Sequence, residues 1–205
     1  MLDSIWLQII ATSWIEWLGT VAGVVGVYLS IKEKTIAWML FIVCYSAYVY
    51  LSFEAGLFAA LLMNSIFIVI SIYGWLSWTE STKVVDTVSQ IGHLPRSLLY
   101  RVILFVGTVT VTLGWVLNTY TEAFLPYLDA FATSCAFTAQ WMLSRKYIEN
   151  WICWICADTV YIYLWGLQGY YVSVGLFTIF IILAIKGWIE WRHTIRTRES
   201  ASLQT

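Results

Sequence analysis

Residues 73–78 read YGWLSW, and a close copy of this stretch, KGWIEW, stands at residues 186–191, which is 113 positions further along the chain. Outward from these two stretches, the same spacing aligns residues 14–78 with residues 127–191 without a gap. Both copies are strongly apolar and long enough to cross a bilayer more than once. The sequence therefore predicts a duplicated membrane unit, an organisation common in carriers that bind a small solute where their repeats meet.

The composition indicates an integral membrane protein. Of the 205 residues, 60% are hydrophobic and 11% are charged, whereas a soluble domain carries about 25% charged residues. The chain also holds 13 Trp and 13 Tyr. Aromatic side chains favour membrane–water interfaces and also stack on flat or cationic ligands, so composition leaves both uses open. No positively charged leader precedes the first apolar run, and we expect no cleavable signal peptide.

Apolar runs predict seven transmembrane helices. Each run is close to the length of about 20 residues that a bilayer requires. The connections between them are short except for the polar residues 79–97. Residues 5–10 are too few to span, and we expect them in the interface. The seven runs are 14–31, 36–52, 55–78, 98–118, 127–144, 148–167 and 170–191.

The positions of the basic residues predict the topology. All 11 Lys and Arg residues fall on the same side of a seven-span arrangement. By the positive-inside rule that side is cytoplasmic, so the N-terminus is predicted outside and the C-terminus inside. The residues are Lys32, Lys34, Lys83, Arg96, Arg101, Arg145, Lys146, Lys186, Arg192, Arg196 and Arg198.

The fourth predicted helix, residues 98–118, has no counterpart in the repeat. Three helices per copy would invert the second copy if the two copies were joined directly, and one linker helix restores a parallel orientation. The predicted fold is an all-α integral membrane protein, with residues 1–205 as one membrane domain and a 3+1+3 parallel repeat. Parallel three-helix repeats are the plan of the SWEET sugar carriers, so the predicted fold is SWEET-like.

Asp158 is the clearest candidate for a functional polar residue. It falls near the middle of the sixth predicted helix, where a charge is costly and usually functional. Trp151, Trp154, Asp158 and Tyr161 are spaced i, i+3, i+7 and i+10, which places them on one helical face. Aromatic rings around a single carboxylate suit a flat, cationic, hydrogen-bonding ligand.

The first copy carries an equivalent stripe without a charge. Trp38, Phe41, Tyr45 and Tyr48 stand 113 positions before the four residues of the second stripe. We expect the two stripes to face each other across a pseudo-twofold axis along the membrane normal. The predicted binding site therefore has a symmetric scaffold and an asymmetric lining, with one carboxylate.

A structural interpretation stays open for every candidate. Aromatic stripes at helical spacing often pack in cores. Asp158 could hydrogen-bond to the hydroxyl of Tyr45 or Tyr161, since a buried carboxylate needs a partner. Asn64 and Gln140 are mid-span amides and weaker candidates for substrate binding, because each could instead bond a neighbouring helix.

Several functional classes are disfavoured. The sequence has no G-x-x-x-x-G-K-[ST] motif, so we expect no nucleotide hydrolysis. No Ser/His or Cys/His pair suggests an enzyme, and we expect no catalytic residue, metal, cofactor or nucleic-acid partner. Cys153 and Cys156 have the spacing of a redox or zinc motif. They lie in an apolar run without a second soft-ligand pair, however, and we interpret them as packing residues.

Residues 145–158, RKYIENWICWICAD, carry a resemblance to a known family. They resemble the PnuC family of B-vitamin transporters, whose sixth helix has a similar Trp-x-x-Trp-x-x-x-Asn/Asp pattern. Asp129, residues 139–140 and residues 71–78 are also similar to the family, and the resemblance covers nearly the whole chain after residue 12.

The resemblance implies a seven-helix, SWEET-like carrier in the bacterial cytoplasmic (inner) membrane, often assembled as a homotrimer. Such carriers move an unphosphorylated vitamin by facilitated diffusion, and a cytoplasmic vitamin kinase then traps it. The substrate differs between members, with nicotinamide riboside for PnuC transporters proper and thiamine for the PnuT branch.

Thiamine is the first substrate hypothesis and nicotinamide riboside is the alternative. Both are flat aromatic cations, so Asp158 suits either. Riboside carriers commonly have Gln in the third helix, where this chain has residues 63–64 (MN), and an Asn-rich start to the second, where residues 35–38 read TIAW. A ribose needs amide or hydroxyl partners, and the predicted site is poorer in them. A non-transporting receptor or scaffold and a proton-coupled carrier are the remaining interpretations.

Overall fold

The structure, a computed structural model, describes residues 2–84 and 91–202. These residues form eight α-helices, and one isolated backbone bridge joins Gly92 to Tyr147. Residues 85–90 of the predicted 79–97 connection and the side chain of Lys83 lie outside the described part. The helices are α1 (Leu2–Ala11), α2 (Trp14–Ile31), α3 (Ile36–Glu54), α4 (Phe58–Val84), α5 (Arg96–Tyr120), α6 (Pro126–Ser144), α7 (Asn150–Leu167) and α8 (Tyr171–Ser202).

Each predicted span overlaps one helix, from α2 to α8, although α4 runs from Phe58 to Val84 where residues 55–78 were predicted. The first span has the bounds of α2, which Ser13 caps by accepting a hydrogen bond from the Glu16 backbone N–H at 3.2 Å. The last span was predicted to end at residue 191, but α8 continues to Ser202. The extension is charged and polar, so apolar patterning does not register it, although Glu and Arg are good helix formers.

Five helices, α2, α3, α4, α5 and α8, are long and apolar enough to cross a membrane. The helices α6 and α7 are of similar length, 19 and 18 residues, but they carry more polar residues. Gln140 in α6 and Asn150 and Asp158 in α7 are buried in the protein. Polar groups that protein encloses do not have to be compatible with lipid. That α6 and α7 also cross the membrane stays a prediction.

The chain divides into two compact units. The first comprises Met1–Gln90 together with Leu143–Arg145, and the second comprises Ile91–Met142 together with Lys146–Thr205. The first unit thus holds α1, α2, α3 and α4, and the second holds α5, α7, α8 and nearly all of α6.

In the first unit, α3 packs against both α2 and α4. Small residues on α2 make this approach possible: a Cβ added at Gly26 would lie 2.8 Å from the ring of Phe41, and one added at Gly19 would lie 3.2 Å from Ala47. Close packing through glycine replaces the hydrophobic effect as the driving force between helices in a membrane. The core of this unit therefore lies along α3, where Trp38 and Phe41 are buried.

In the second unit, α5 packs along α6 and α7 packs on α8. The hydroxyl of Thr110 on α5 lies 3.1 Å from that of Ser134 on α6. Tyr127, at the start of α6, lies against Gly114, the buried residue of α5. The linker helix of the predicted repeat is thus an integral part of this unit.

The helix ends recur at the 113-residue spacing. Gly56 and Gly169 follow α3 and α7 with φ angles of 69° and 79°, and Glu33 and Lys146 follow α2 and α6 with φ angles of 53° and 56°. In each turn the next backbone N–H donates to the carbonyl five residues earlier, at 2.8–3.0 Å. These are Schellman caps, and a left-handed non-glycine residue occupies the same position after the first helix of each copy.

Candidate functional site

Asp158 lies in the middle of α7 and is 3% exposed. No hydrogen bond or ion pair joins it to another residue within the described part of the chain. Burial of an ionised carboxylate without a partner costs several kcal/mol, which makes Asp158 a candidate functional residue. Tyr161, one of the two hydroxyls suggested as its structural partner, pairs instead with Thr133 at 3.2 Å.

Tyr161 is held from two sides. Its hydroxyl is within hydrogen-bonding distance of Thr133 on α6, and its ring stacks on Phe177 of α8 with centroids 5.0 Å apart. Because Tyr161 follows Asp158 by three residues, the Thr133–Tyr161 hydroxyl pair lies on the face of α7 that carries the carboxylate. This face offers hydrogen-bonding groups beside a negative charge.

Trp151 packs deep in the second unit. It is 1% exposed, its ring meets Trp191 edge-on at 5.3 Å, and a Cβ added at Gly187 would lie 2.5 Å from the ring. Its indole N–H is buried and has no hydrogen-bond acceptor among the described residues. Trp154, one turn further along α7, is only half-buried and so is the more accessible ring of the two.

The first unit repeats this arrangement around Trp38. Trp38 is fully buried, and its ring meets the ring of Trp78 edge-on with centroids 5.4 Å apart. A Cβ added at Gly74 would lie 2.5 Å from the Trp38 ring. Its indole N–H also lacks an acceptor within the described residues. Phe41 is 5.6 Å from Trp38, again edge-on. The two tryptophans at the start of the stripes are therefore core residues of their own units.

The rest of the first stripe is also held by aromatic and hydroxyl contacts. The ring of Tyr45 stacks on Phe67 at 4.8 Å and 15°. The hydroxyl of Tyr48 lies 3.0 Å from that of Thr20, which reproduces the Thr133–Tyr161 pair 113 positions earlier. Sequence reasoning missed both pairs, although the alignment of Thr20 with Thr133 was a detectable signal.

The two amide candidates differ. Asn64 donates its side-chain N–H to the carbonyl of Ala60 on its own helix at 2.8 Å, so that donor is used locally. Gln140 is fully buried on α6. The predicted residues Trp151, Trp154, Asp158 and Tyr161 all lie on α7, with Trp151 packed in the core, while Trp38, Phe41, Tyr45 and Tyr48 lie on α3. Whether the two stripes face each other stays a prediction.

All four cysteines are free. Cys153 is half-buried and Cys156 is exposed, so the packing interpretation fits only Cys153. In the part of the chain that the structure describes, no three His, Cys, Asp or Glu side chains are grouped to hold a metal ion.

Apolar helices of membrane length and a buried carboxylate are typical of membrane proteins with a functional polar site. A family model described as "Nicotinamide mononucleotide transporter" matches residues 13–193, and the chain belongs to that family. The predicted PnuC family is thereby confirmed. The chain is thus a multi-pass membrane protein of a transporter family.

Three relatives illustrate the family. The nicotinamide riboside transporter PnuC of Escherichia coli is 26% identical over 216 residues, covering 93% of this chain and 90% of that protein. The PnuC of Neisseria mucosa is 22% identical over 196 residues, covering 88% and 74%. The riboflavin/roseoflavin transporter RibM of Streptomyces davaonensis is 22% identical over 185 residues, covering 87% and 84%.

The fold is shared with a solved structure. A crystal structure described as that of the vitamin B3 transporter PnuC matches with a TM-score of 0.72 at 18% identity, covering 96% of this chain and 90% of that one. None of these relatives is named for thiamine, so the comparisons give no support to the thiamine hypothesis.

Proposed function

We propose that this protein is a uniporter that takes up nicotinamide riboside across the bacterial cytoplasmic membrane, where a cytoplasmic kinase traps the vitamin by phosphorylation. The observation that carries the proposal is Asp158, a buried carboxylate that makes no hydrogen bond or ion pair within the described residues. A pyridinium cation would supply the missing charge, and the adjacent aromatic rings would stack on it. Two relatives named for nicotinamide riboside, similar over most of this chain, support the same substrate.

The hydroxyl pairs favour a sugar-bearing vitamin. The thiamine hypothesis rested on a shortage of hydrogen-bonding partners for a ribose. The Thr133–Tyr161 pair supplies two hydroxyls on the Asp158 face for a ribose, and the Thr20–Tyr48 pair of the first unit is its equivalent without a carboxylate. Thiamine remains the second candidate because Asn64, a weaker candidate for substrate binding, donates one of its two side-chain N–H bonds to the Ala60 carbonyl on its own helix.

We also propose the 3+1+3 arrangement for transport, with seven crossings, α5 as the linker and the N-terminus outside. The support is the recurrence of the helix caps and of the Trp–Gly contacts at a spacing of 113 residues. The basic residues Lys32 and Lys34 after α2, and Arg145 and Lys146 after α6, occupy equivalent ends of equivalent helices.

Substrate binding and transport are tested separately. Purified protein titrated with nicotinamide riboside should show saturable quenching of Trp fluorescence, and thiamine should bind at least about tenfold more weakly, a difference of about 1.4 kcal/mol. Liposomes that enclose a riboside kinase and ATP should accumulate the phosphorylated vitamin without a pH gradient. Tighter binding of thiamine would reverse the substrate assignment, and binding without uptake would favour a receptor.

The hydroxyl pair of the second unit provides a finer test. Thr133→Val removes one hydroxyl at nearly constant volume, and we expect nicotinamide riboside to bind about fivefold more weakly, as the loss of one hydrogen bond would cause. Thr20→Val is the matched control in the first copy, where no carboxylate accompanies the pair, and its effect should be smaller. Equal losses in the two variants in the same titration would contradict the assignment of the ribose to the Asp158 face.

A further inference from the structure

The segment before α5 is fastened to the turn before α7 by four hydrogen bonds, all within the second unit. The backbone N–H of Gly92 donates to the carbonyl of Lys146 at 3.1 Å, and that of Ile148 donates to the carbonyl of Gly92 at 3.0 Å. The carboxylate of Glu149 makes the other two. It accepts the backbone N–H of Leu94 at 2.8 Å and lies 2.9 Å from Nδ1 of His93.

Two isoleucines close the contact from inside. Ile91, at the start of the segment, and Ile148, next to Glu149, are each 1% exposed. His93 and Glu149, in contrast, reach the surface, with side chains 62% and 25% exposed. The contact, which we call the Glu149 clasp and define as residues 91–94 on residues 146–149, therefore has an apolar interior and a charged outer edge.

The clasp occurs where the two copies of the repeat differ. The residue 113 positions before Glu149 is Ile36, which is 55% exposed and has no carboxylate to offer. Residues 91–94, the segment that Glu149 binds, also have no counterpart in the first copy, because they lead into α5, the helix that the repeat does not duplicate. The acidic side chain thus appears only where a linker helix has to be attached.

The clasp is adjacent to the binding residues. Glu149 is the N-cap residue of α7 and precedes the buried residues Asn150 and Trp151 directly, while Asp158 lies further along the same helix. At its other end the clasp continues through Pro95 into α5, which is in turn bonded to α6 through Thr110. The Glu149 side chain therefore supplies two of the four hydrogen bonds that connect the start of the linker helix to the helix carrying the predicted substrate contacts.

We propose that Glu149 is a positioning residue for transport: by holding residues 91–94 it joins α5 to α7, so that the linker helix moves with the second copy and α7 keeps its substrate-binding face in place. This proposal rests on the proposed function as regards transport. The clasp itself can be measured without any substrate.

The substrate-free measurement uses proteolysis. Arg96 begins α5 immediately beyond the clasp, so trypsin cleavage between Arg96 and Ser97, identified by fragment mass, reports how often the segment opens. We expect Glu149→Ala to raise the cleavage rate about tenfold, which corresponds to about 1.4 kcal/mol. Glu149→Gln retains an acceptor for the Leu94 N–H and should stay close to wild type, and His93→Ala should fall between them. If Glu149→Ala is cleaved at the wild-type rate, the Glu149 side chain does not hold residues 91–94 and the proposal is wrong.

The second measurement concerns the substrate. In Glu149→Ala the dissociation constant for nicotinamide riboside should rise about fivefold, and Glu149→Gln should restore it, with a correlated rise in the KM of liposome uptake; a factor of five is about 1 kcal/mol. If Glu149→Ala opens the segment but leaves both the dissociation constant and KM unchanged, the contact is only structural and the positioning role is wrong. If wild type binds no vitamin, the proposed function fails and the positioning role with it, while the cleavage result still decides whether the clasp exists.

Discussion

Replacement of Asp158 by Asn should weaken the binding of nicotinamide riboside by at least about 100-fold, or about 2.7 kcal/mol. The substitution preserves shape and removes the charge from a site that is 3% exposed. Because water is largely excluded there, the attraction between carboxylate and pyridinium is only weakly screened, and loss of one member of a buried ion pair commonly costs about 3–5 kcal/mol. Titration of Trp fluorescence measures the effect.

Two controls isolate the charge. Reduced nicotinamide riboside is uncharged, so its affinity should change far less in Asp158→Asn than that of the cation. Glu54→Gln neutralises a carboxylate that hydrogen-bonds to Tyr50 at the end of α3 and should leave the affinity for the cation unchanged. An equal loss of both ligands in Asp158→Asn would mean that the carboxylate shapes the site instead of binding the positive charge.

The same variant separates function from stability. In the ligand-free protein Asp158 makes no hydrogen bond or ion pair among the described residues, and a buried carboxylate without a partner destabilises the fold. The Tm of ligand-free Asp158→Asn should therefore be equal to or higher than that of wild type. A marked fall in Tm would instead assign Asp158 to the support of α7.

Gly187→Ala should lower both stability and substrate affinity. The added Cβ would lie 2.5 Å from the six-membered ring of Trp151. Trp151 cannot easily move away, because its ring already packs against Trp191 with centroids 5.3 Å apart. Overpacking of a filled core costs about 1–3 kcal/mol, and displacement of Trp151 would shift the start of α7. We expect a Tm decrease of several degrees in detergent, measured by the thermal loss of monodisperse protein, together with weaker vitamin binding.

Gly175 provides a matched control on the same helix. A Cβ at Gly175 meets nothing within 4 Å, so Gly175→Ala should be neutral or stabilising, since Ala is favoured over Gly in a helix by about 1 kcal/mol. Gly74→Ala should reproduce the loss of stability in the first unit, where Trp38 occupies the equivalent place at 2.5 Å. If Gly187→Ala and Gly175→Ala behave alike, the close Trp–Gly contact does not limit the packing of α8.

The helices were largely predictable because apolar length and helix-ending residues are local properties. Gly56 and Gly169, for example, end α3 and α7 in left-handed caps that side chains with a Cβ rarely adopt. The extension of α8 to Ser202 and the helix Leu2–Ala11 were not predicted. Neither depends on an apolar run long enough to span, so hydropathy does not register them.

Less of the candidate site could be predicted. The spacing of Trp151, Asp158 and Tyr161 placed them on one face of α7 because helical periodicity is local. The burial of Trp151 against Gly187 could not be foreseen, because it depends on a residue in another helix. Glu149 was recognised only as part of a motif, since its bond to Leu94 joins positions 55 residues apart. Substrate choice was hardest, because thiamine and nicotinamide riboside present the same charge to Asp158.

The polarity of α6 has a consequence for biogenesis. A helix that leaves the translocon is sorted by its own affinity for lipid, and carboxylates and amides oppose that transfer. With Asp129 and Gln140 in 19 residues, α6 partitions poorly by itself. The preceding helix α5 contacts α6 at two points: Thr110 lies within hydrogen-bonding distance of Ser134, and Tyr127 packs against Gly114. If α6 crosses the membrane as proposed, we expect α5 to have a second role in addition to the proposed reversal of chain direction: it would be the first protein surface against which α6 can pack during insertion.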